Sequence, residues 1–323
     1  MLSNSIAAVS ARSQLAAFSA DGRPSAMGEL LQFAGVDGFD VYNPSIPFSI
    51  DGKTVIAGRV ECRANEVSQT KFFEKKGDVW ELISDAPVLD LQDPFVTFIG
   101  GELWLGGVYV VWDGPSLVKY STYFYRGTSL CNLRFAFEGP LFMKDVRMTE
   151  LADGRIALLS RPQGERMLQQ HGCIAKIGFA VADSVDQINA DFIEKAPLLE
   201  GQFLPDEWGG SNQLYPLSNG LLGIIGHKSW GEYVGDVHII HYYSMAFALD
   251  PDTRAVTQTK LIATRDCFPA GPQKDSRSAD VVFTSGILRC GNGKAELYAG
   301  LSDCQAGRLL INDPLNEYET VSR

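Results

Sequence analysis

A single carboxylate stands at the head of an apolar segment, where it could exchange protons. Asp93 is the one ionisable residue in Leu91–Gly100, LQDPFVTFIG, and a proline follows it. Apolar neighbours raise the pKa of a carboxyl group because they disfavour its charged form, and a general acid must be protonated part of the time near neutral pH. We expect such surroundings from Phe95, Val96, Phe98 and Leu103. The alternative is that Asp93 caps a turn before the proline, a common pairing.

Positively charged side chains recur at one distance from a turn. Five turn-like pairs, D-G, G-G or N-G, end at Gly52, Gly101, Gly154, Gly220 and Gly293. The residues seven positions after these glycines are Arg59, Val108, Arg161, His227 and Gly300. Three of these five positions can carry positive charge. Arginine donates paired hydrogen bonds to anions such as phosphate, and histidine donates with a charge that depends on pH. The pattern favours an anion site, unless these are strand ends whose charged groups simply reach water.

The turns belong to a hairpin sequence that recurs five times. The copies are DGKTVIAGRVE, GGELWLGGVYV, DGRIALLSRPQG, NGLLGIIGHKSW and NGKAELYAGLSD. D-G and N-G pairs between apolar runs are strong hairpin signals. Successive turn glycines lie 49 to 73 residues apart, which fits a propeller blade of about four strands. We therefore predict an all-β, five-bladed β-propeller in which the equivalent strands line a central channel and their charged residues converge.

The segments between the copies complete this organisation. Further strands are predicted in VWELIS, KYSTYFY, IAKIGFAVA, VHIIHYYSMAFALD and VVFTSGILRC. The segment DSVDQINADFIEKA, from Asp183, is compatible with a short helix or with a loop and an edge strand. Residues 1–25 are predicted to be an N-terminal extension, and residues 26–323 a single domain.

Composition restricts the classes of function. The 323 residues are 45% hydrophobic and 21% charged, which predicts a sizeable core. A formal net charge of -11 disfavours a nucleic-acid partner, and no apolar run is long enough to predict a membrane span. Six cysteines without a C-x-x-C pair, and no secretory signal, predict free thiols in an intracellular, cytoplasmic protein. His238 and His241 would point to opposite faces of a strand, so no metal site is predicted.

Several segments, in order, carry a resemblance to a known family. YNPSIPFSIDGKTVIAGRVECR, QDPFVTF, KDVRMTELADGRIALLSRP, LLGIIGHKSW and LYAGLSD resemble glycoside hydrolase family 130, the mannoside phosphorylases. The chain is similar, more closely, to the family first described as domain of unknown function 1861. That family is now glycosyltransferase family 108, the β-1,2-mannosyltransferases and phosphorylases of mannogen turnover. The resemblance spans Asn43 to Asp303.

The resemblance implies a fold, a reaction and its partners. The fold would be a five-bladed β-propeller with the sugar site at the mouth of its channel. The reaction would be an inverting one on β-1,2-linked mannose oligosaccharides, by phosphorolysis to mannose-1-phosphate, by mannosyl transfer from GDP-mannose, or by both. Inorganic phosphate or GDP-mannose would be the co-substrate, and no cofactor is implied.

The resemblance also implies roles for individual residues. Asp93 matches the general acid of the family's E-D-P-R segment, in which Gln92 and Phe95 replace the glutamate and the arginine. The residues implied to hold mannose are Asn43, Arg59 and Asp303, together with Trp208, which stands where the phosphorylases have a sugar-binding lysine. The residues implied to hold phosphate are Arg161, His227 and Tyr242, with Lys144 and Arg147 where a further cation is expected.

Two classes of function are compatible with these residues. An inverting hydrolase uses a second carboxylate to activate water, whereas a phosphorylase needs one acid and cations that hold phosphate. Asp93, Arg161 and His227 match the second requirement and favour an enzyme. The alternative is a noncatalytic propeller that binds glycans or proteins.

Overall fold

The fold consists mainly of antiparallel strands, and the predicted all-β class is confirmed. The computed structural model describes residues 1–114 and 116–321. Within these residues no helix has both the length and the hydropathy needed to cross a membrane. The α-helices are α1 (Ala11–Ala17), α2 (Glu165–His171), α3 (Ala190–Glu194) and α4 (Asn316–Glu319), and single helical turns lie at Phe18–Gly22, Leu130–Asn132, Val185–Gln187, Arg265–Cys267 and Ser276–Ser278.

The strands follow one another along the chain. In order they are β1 (Glu29–Leu30), β2 (Gln32–Ala34), β3 (Asp40–Tyr42), β4 (Phe48–Ile50), β5 (Lys53–Glu61), β6 (Ser68–Lys76), β7 (Val79–Leu82), β8 (Gln92–Ile99), β9 (Glu102–Asp113), β10 (Ser116–Gly127), β11 (Arg134–Glu138), β12 (Arg147–Glu150), β13 (Ile156–Ser160), β14 (Gly178–Ala182), β15 (Trp208–Pro216), β16 (Leu222–Val234), β17 (Val237–Leu249), β18 (Lys260–Ala263), β19 (Asp280–Arg289), β20 (Lys294–Leu301) and β21 (Gln305–Asn312).

These strands form five consecutive groups, which we number as meanders in chain order. Meander one contains β2 to β7, meander two β8 to β11, and meander three β12 to β14. Meander four contains β15 to β18, and meander five contains β19 to β21 with β1 paired on β21. Meanders four and five share one eight-stranded sheet because β17 and β19 pair in parallel.

Contacts run from each meander to the next and from the last back to the first. The contacting strands are β5 with β8, β8 with β12, β12 with β15, β17 with β19, and β3 with β20 and β21. Apolar side chains fill the spaces between neighbours. Phe72 packs in one cluster with Leu105, and Phe124 in another with Leu158. This path brings residues that are far apart in the chain to a common centre.

The hairpin turns predicted from the sequence are confirmed. Their glycines all have left-handed backbone, with φ of 73° at Gly52, 78° at Gly101, 87° at Gly154, 82° at Gly220 and 78° at Gly293. Glycine adopts this conformation without steric cost. The five further strand predictions correspond to β7, β10, β14, β17 and β19, and the segment after Asp183 contains a short helix, α3.

Residues 1–25, predicted as an N-terminal extension, lie against meander four. Ser3 forms a β-bridge with Val256. The ammonium of Lys228 is fully buried and donates to the carbonyl oxygen of Val9 at 2.6 Å. Because Lys228 directly follows His227 in β16, the side chains of the two residues point to opposite faces of the strand. The N-terminal segment therefore covers the strand that carries one of the predicted phosphate ligands.

Candidate active site

Asp93 lies at a break in the regular geometry of β8. Its backbone is left-handed, with φ of 49°, and the register of β8 on β9 shifts between Gln92 and Phe95. A bulge of this kind re-aims a side chain. The carboxylate of Asp93 is buried and accepts hydrogen bonds from Nδ2 of Asn43 at 2.8 Å and from a terminal nitrogen of Arg59 at 3.1 Å.

The expectation of apolar surroundings for this carboxylate is wrong. Phe95, Val96 and Leu103 are buried in the hydrophobic clusters between meanders, and Phe98 is 43% exposed. These residues follow the regular strand geometry, whereas the bulge and the left-handed backbone direct Asp93 elsewhere. Its contacts are therefore with a cation and an amide.

Arg59 is held in position by a buried acid. Its Nε donates to Glu61 at 3.1 Å and to Ser68 at 2.9 Å, and the ammonium of Lys274 also contacts Glu61. Burial acts to raise the pKa of Glu61, but the charge of Arg59 and the hydrogen bonds from Lys274 and Ser68 outweigh it and lower that pKa. Glu61 therefore stays ionised and fixes the guanidinium that faces Asp93.

A cavity of about 200 Å³ opens beside Asp93. Six residues predicted from the sequence line it: Asn43, Arg59, Asp93, Lys144, Tyr242 and Asp303. They belong to strands of the five meanders or lie within three residues of one, so the convergence of distant positions is observed. Lys144 forms no hydrogen bond or ion pair with any described residue, and its ammonium is left to face the cavity.

Asn43 reaches this cavity through a gap left by a glycine. The residue has left-handed backbone, with φ of 42°, and is buried. A Cβ atom on Gly300 would lie 1.7 Å from Oδ1 of Asn43 and 2.7 Å from its backbone nitrogen. Gly300 is the fifth of the positions found seven residues after a turn glycine. That position contributes space to the site, as Arg59 contributes charge.

Asp303 is a second carboxyl group of the cavity. Asp303 and Ser302 both have left-handed backbone, with φ of 54° and 50°. Burial raises the pKa of Asp303 to about 6 against the opposing charge of Arg59, and the neighbouring charge of Asp93 adds to the rise. No described residue donates a hydrogen bond to this carboxylate, so its oxygens are available to accept hydroxyl groups.

A second charged cluster, centred on Asp145, lies next to the cavity. Oδ2 of Asp145 is 3.0 Å from Nε of Arg161 and 3.8 Å from Nε2 of His227. Its Oδ1 is 3.9 Å from a terminal nitrogen of Arg147. All four side chains are buried. Gly210 makes room for them, because a Cβ atom there would lie 2.9 Å from Oδ2 of Asp145.

The charges of this cluster follow from its burial. Burial acts to raise the pKa of Asp145, but Arg161 and the other cations outweigh it and lower that pKa to about 2. Burial lowers the pKa of His227 to about 3 despite the attraction of Asp145, so the imidazole is neutral at pH 7. Burial also lowers the pKa of Arg147 to about 10. Two charged arginines therefore surround one carboxylate, and the cluster keeps an excess of positive charge.

Tyr242 connects the cluster to the cavity. Its ring stacks on the imidazole of His227, with centroids 5.3 Å apart, and its hydroxyl accepts a hydrogen bond from Nε1 of Trp208 at 2.9 Å. Tyr242 itself lines the cavity, whereas Trp208, Arg147, Arg161 and His227 do not. The structure therefore brings the predicted phosphate ligands together, with three of them one layer behind the cavity surface.

Several residues of the site were not predicted from the sequence. Glu61, Asp145, Asn212 and Glu66 contact predicted residues through hydrogen bonds or ion pairs, and Lys274 contacts Glu61 and Glu66. A signal existed for two of them. Glu61 lies two positions after Arg59, on the same face of one strand, and Asp145 stands in the charged run KDVR. Lys274 lies in a loop whose sequence carries no comparable signal.

Comparisons with known proteins support a family assignment. A comparison with curated proteins finds no match. Among solved structures, MPT-4, a mannose phosphorylase from Leishmania mexicana in complex with a phosphate ion, is 38% identical, with a TM-score of 0.88 over 97% of this chain and 96% of that chain. MPT-1, a GDP-Man-dependent mannosyltransferase from Leishmania mexicana, is 34% identical, with a TM-score of 0.86 over 97% of each chain.

A more distant structure shares the fold. The β-1,2-mannobiose phosphorylase from Listeria innocua is 15% identical, with a TM-score of 0.62 over 88% of this chain and 93% of that chain. The sequence also matches the family model described as "Protein of unknown function (DUF1861)" over residues 19–317. The resemblance inferred from the sequence is thereby confirmed, and the chain belongs to the DUF1861 family.

Proposed function

We propose that this protein is an inverting enzyme that transfers mannosyl units of β-1,2-linked oligosaccharides. In phosphorolysis the acceptor of the mannosyl unit would be inorganic phosphate, which gives mannose-1-phosphate. In synthesis the donor would be mannose-1-phosphate or GDP-mannose. We also infer that the five meanders are the blades of a five-bladed β-propeller, because each contacts the next and the last contacts the first. The cavity then lies at one mouth of the central channel.

The observation that carries this proposal is the juxtaposition at Asp93. One carboxylate faces a cavity lined by Asn43, Arg59 and Asp303, which offer an amide, a guanidinium and a carboxyl group to sugar hydroxyls. The cluster around Asp145 adjoins the same cavity and holds more positive than negative charge. A sugar and an anion could therefore be held side by side next to one proton donor.

In phosphorolysis, the phosphate would be the nucleophile. One of its oxygens attacks C1 of the mannose, the bond between C1 and the leaving oxygen breaks, and Asp93 gives its proton to that oxygen. The β-linkage is inverted to α-mannose-1-phosphate. In synthesis the carboxylate of Asp93 takes the proton from the acceptor hydroxyl as this oxygen attacks C1, the bond between C1 and the phosphate oxygen breaks, and phosphate or GDP leaves. The hydrogen bonds from Asn43 and Arg59 hold this carboxylate in place.

Phosphate would enter the cavity next to Lys144 and Tyr242. Both residues line the cavity, and the buried Arg161 and Arg147 add positive charge from the layer behind it. Arginine is suited to phosphate because its planar fork donates two hydrogen bonds. GDP-mannose presents the same phosphoryl group, so the same charges support either co-substrate.

The relatives give both activities equal weight. MPT-4 is named a mannose phosphorylase and MPT-1 a GDP-Man-dependent mannosyltransferase, and their identities to this chain are 38% and 34%. The proposal therefore includes both reactions. The competing function is a noncatalytic propeller that binds glycans or proteins.

The test uses both donors with one acceptor. The protein is incubated with β-1,2-mannobiose and either mannose-1-phosphate or GDP-mannose, and released phosphate or GDP is measured. We expect elongation with at least one donor, and a loss of about 10²–10⁴-fold in Asp93→Asn, the usual contribution of a general acid or base. Asp85→Asn, an exposed aspartate in the loop before β8, is the matched control. Binding of the glycan without turnover would establish the noncatalytic alternative, and full turnover by Asp93→Asn would remove the proposed role of that residue.

A further inference from the structure

A second cavity, of about 260 Å³, adjoins the first. It lies along the second half of β9, beside the first residues of β6 and β8. The aromatic side chain at its outer end is Trp112, which is 37% exposed. Trp80, Trp104 and Trp230 are at most 4% exposed, and the indole of Trp208 is engaged by Tyr242. Trp112 is therefore the most exposed of the five tryptophans, although the resemblance pointed to Trp208 as the one that holds sugar.

One wall of this cavity is an apolar stripe. Val108, Val110 and Trp112 alternate along β9, so their side chains share one face of the strand, and all three line the cavity. Gln92 of β8 pairs with Val108 at the inner end of the stripe. Trp112 is four residues farther along, about 13 Å away at the rise of a strand. The stripe is longer than one sugar ring.

Polar side chains complete the lining of this cavity. Asp90, Glu66 and Gln92 are among its lining residues, and the Gln92 side chain is fixed by a hydrogen bond from its Nε2 to the carbonyl oxygen of Glu66 at 3.2 Å. Carboxylates accept hydrogen bonds from hydroxyl groups. A pyranose ring has an apolar C–H face and a rim of hydroxyls. A lining that combines an aromatic and aliphatic stripe with carboxylates and an amide matches both.

The two cavities share two lining residues. Glu66 and Gln92 line both of them, and Gln92 directly precedes Asp93. In the proposed reaction Asp93 delivers its proton to the leaving oxygen. The saccharide attached to that oxygen must therefore lie on the side of the site where Gln92 stands, at the entrance to the second cavity.

We propose that the second cavity binds mannosyl units of the oligosaccharide on the leaving-group side, with Trp112 as the stacking platform for a unit beyond the first. This inference rests on the proposed function. It makes the stripe of β9 the determinant of chain-length preference. Short substrates reach only the inner end of the stripe, and longer ones extend to Trp112.

The test compares substrates of two lengths. The values of kcat/KM are measured for β-1,2-mannotetraose and for β-1,2-mannobiose. Each is used as mannosyl donor to phosphate and as acceptor from mannose-1-phosphate or GDP-mannose. The ratio of the value for the tetraose to that for the biose is the readout. In Trp112→Ala the ratio should fall about tenfold, as expected for loss of a stacking contact, through KM rather than kcat. Trp112→Phe should keep most of the ratio. Phe98→Ala is the matched control, because Phe98 is similarly exposed at the other end of the same sheet.

The outcomes separate this inference from the proposed function. Absence of turnover by the unmodified protein with either substrate and either donor would refute the proposed function, and this site with it. Turnover with a ratio unchanged in Trp112→Ala would refute this site alone. This site would also be refuted if the unmodified protein sedimented as a dimer and Trp112→Ala as a monomer while the ratio stayed unchanged. The stripe would then bind a second copy of the chain.

Discussion

A methyl group at position 300 should disable the cavity without altering any of its charged residues. Gly300 lies in β20 opposite Asn43, and a Cβ atom there would lie 1.7 Å from Oδ1 and 2.7 Å from the backbone nitrogen of Asn43. An ordinary contact is 3.4 Å or longer. Rotation of the amide could relieve the first overlap, but it would break the 2.8 Å hydrogen bond from Asn43 to Asp93. The second overlap involves backbone, so β3 and β20 must separate by about 0.7 Å, the difference between 3.4 and 2.7 Å.

Both effects can be given a magnitude. Overpacking of a close contact costs about 1–3 kcal/mol of stability, and a displacement approaching 1 Å in a site can cost about 10²-fold in rate. We therefore expect Gly300→Ala to remain folded, with a lower free energy of unfolding. Its kcat/KM should fall about a hundredfold. The loss of rate should exceed what reduced stability explains, because the folded fraction at 25 °C stays near one.

The assay combines urea unfolding with the two-donor turnover measurement. Gly139→Ala is the matched control, since a Cβ atom at Gly139 would lie 3.3 Å from its nearest neighbour and has no contact with the cavity. Turnover of Gly300→Ala within twofold of the unmodified protein would refute the reasoning. It would mean that the position of Asn43 is unimportant for the reaction.

Three further predictions concern the buried charges. Burial raises the pKa of Asp303 from 3.8 to about 6, so this group lowers the free energy of unfolding as the pH rises from about 4 to 6. Asp303→Asn should remove that fall and stabilise the protein at pH 7 by up to about 3 kcal/mol in urea unfolding. Parallel pH profiles of the free energy of unfolding for the two proteins would contradict this. The pKa of His227 is lowered from 6.5 to about 3, so stability present above pH 6.5 should be lost as the pH falls toward 3, and His227→Asn should flatten the profile in that window; an unchanged slope would show that the histidine is not buried in neutral form. Asp145→Asn leaves Arg161 without its carboxylate and should lower the free energy of unfolding by about 3–5 kcal/mol. Millimolar phosphate should restore part of this stability in a thermal unfolding assay. Full stability of the variant without phosphate would contradict the charge arrangement described for this cluster.

Much of the architecture could be predicted from the sequence because it depends on local rules. The five hairpin turns need glycine in left-handed backbone, and apolar strands flank each of them. A fixed offset from the turn then places residues at equivalent heights, so Arg59, Arg161 and His227 could be recognised as a group. The pairing of Arg59 with Glu61 also follows from the two-residue period of a strand. It was available from the sequence and was missed.

Only the tertiary structure decided which groups meet. The surroundings of Asp93 are polar because a bulge and a left-handed backbone turn it out of the apolar strand, and periodicity does not reveal such a break. Asp145 among the cations, and Gly300 against Asn43, depend on contacts between meanders far apart in the chain. Trp112 is the most exposed tryptophan because β9 continues past Val108, the last of its residues that pairs with β8. Local sequence determines turns and strand faces through backbone sterics, whereas the identity of a side chain's neighbours depends on how separate strands are brought together in space.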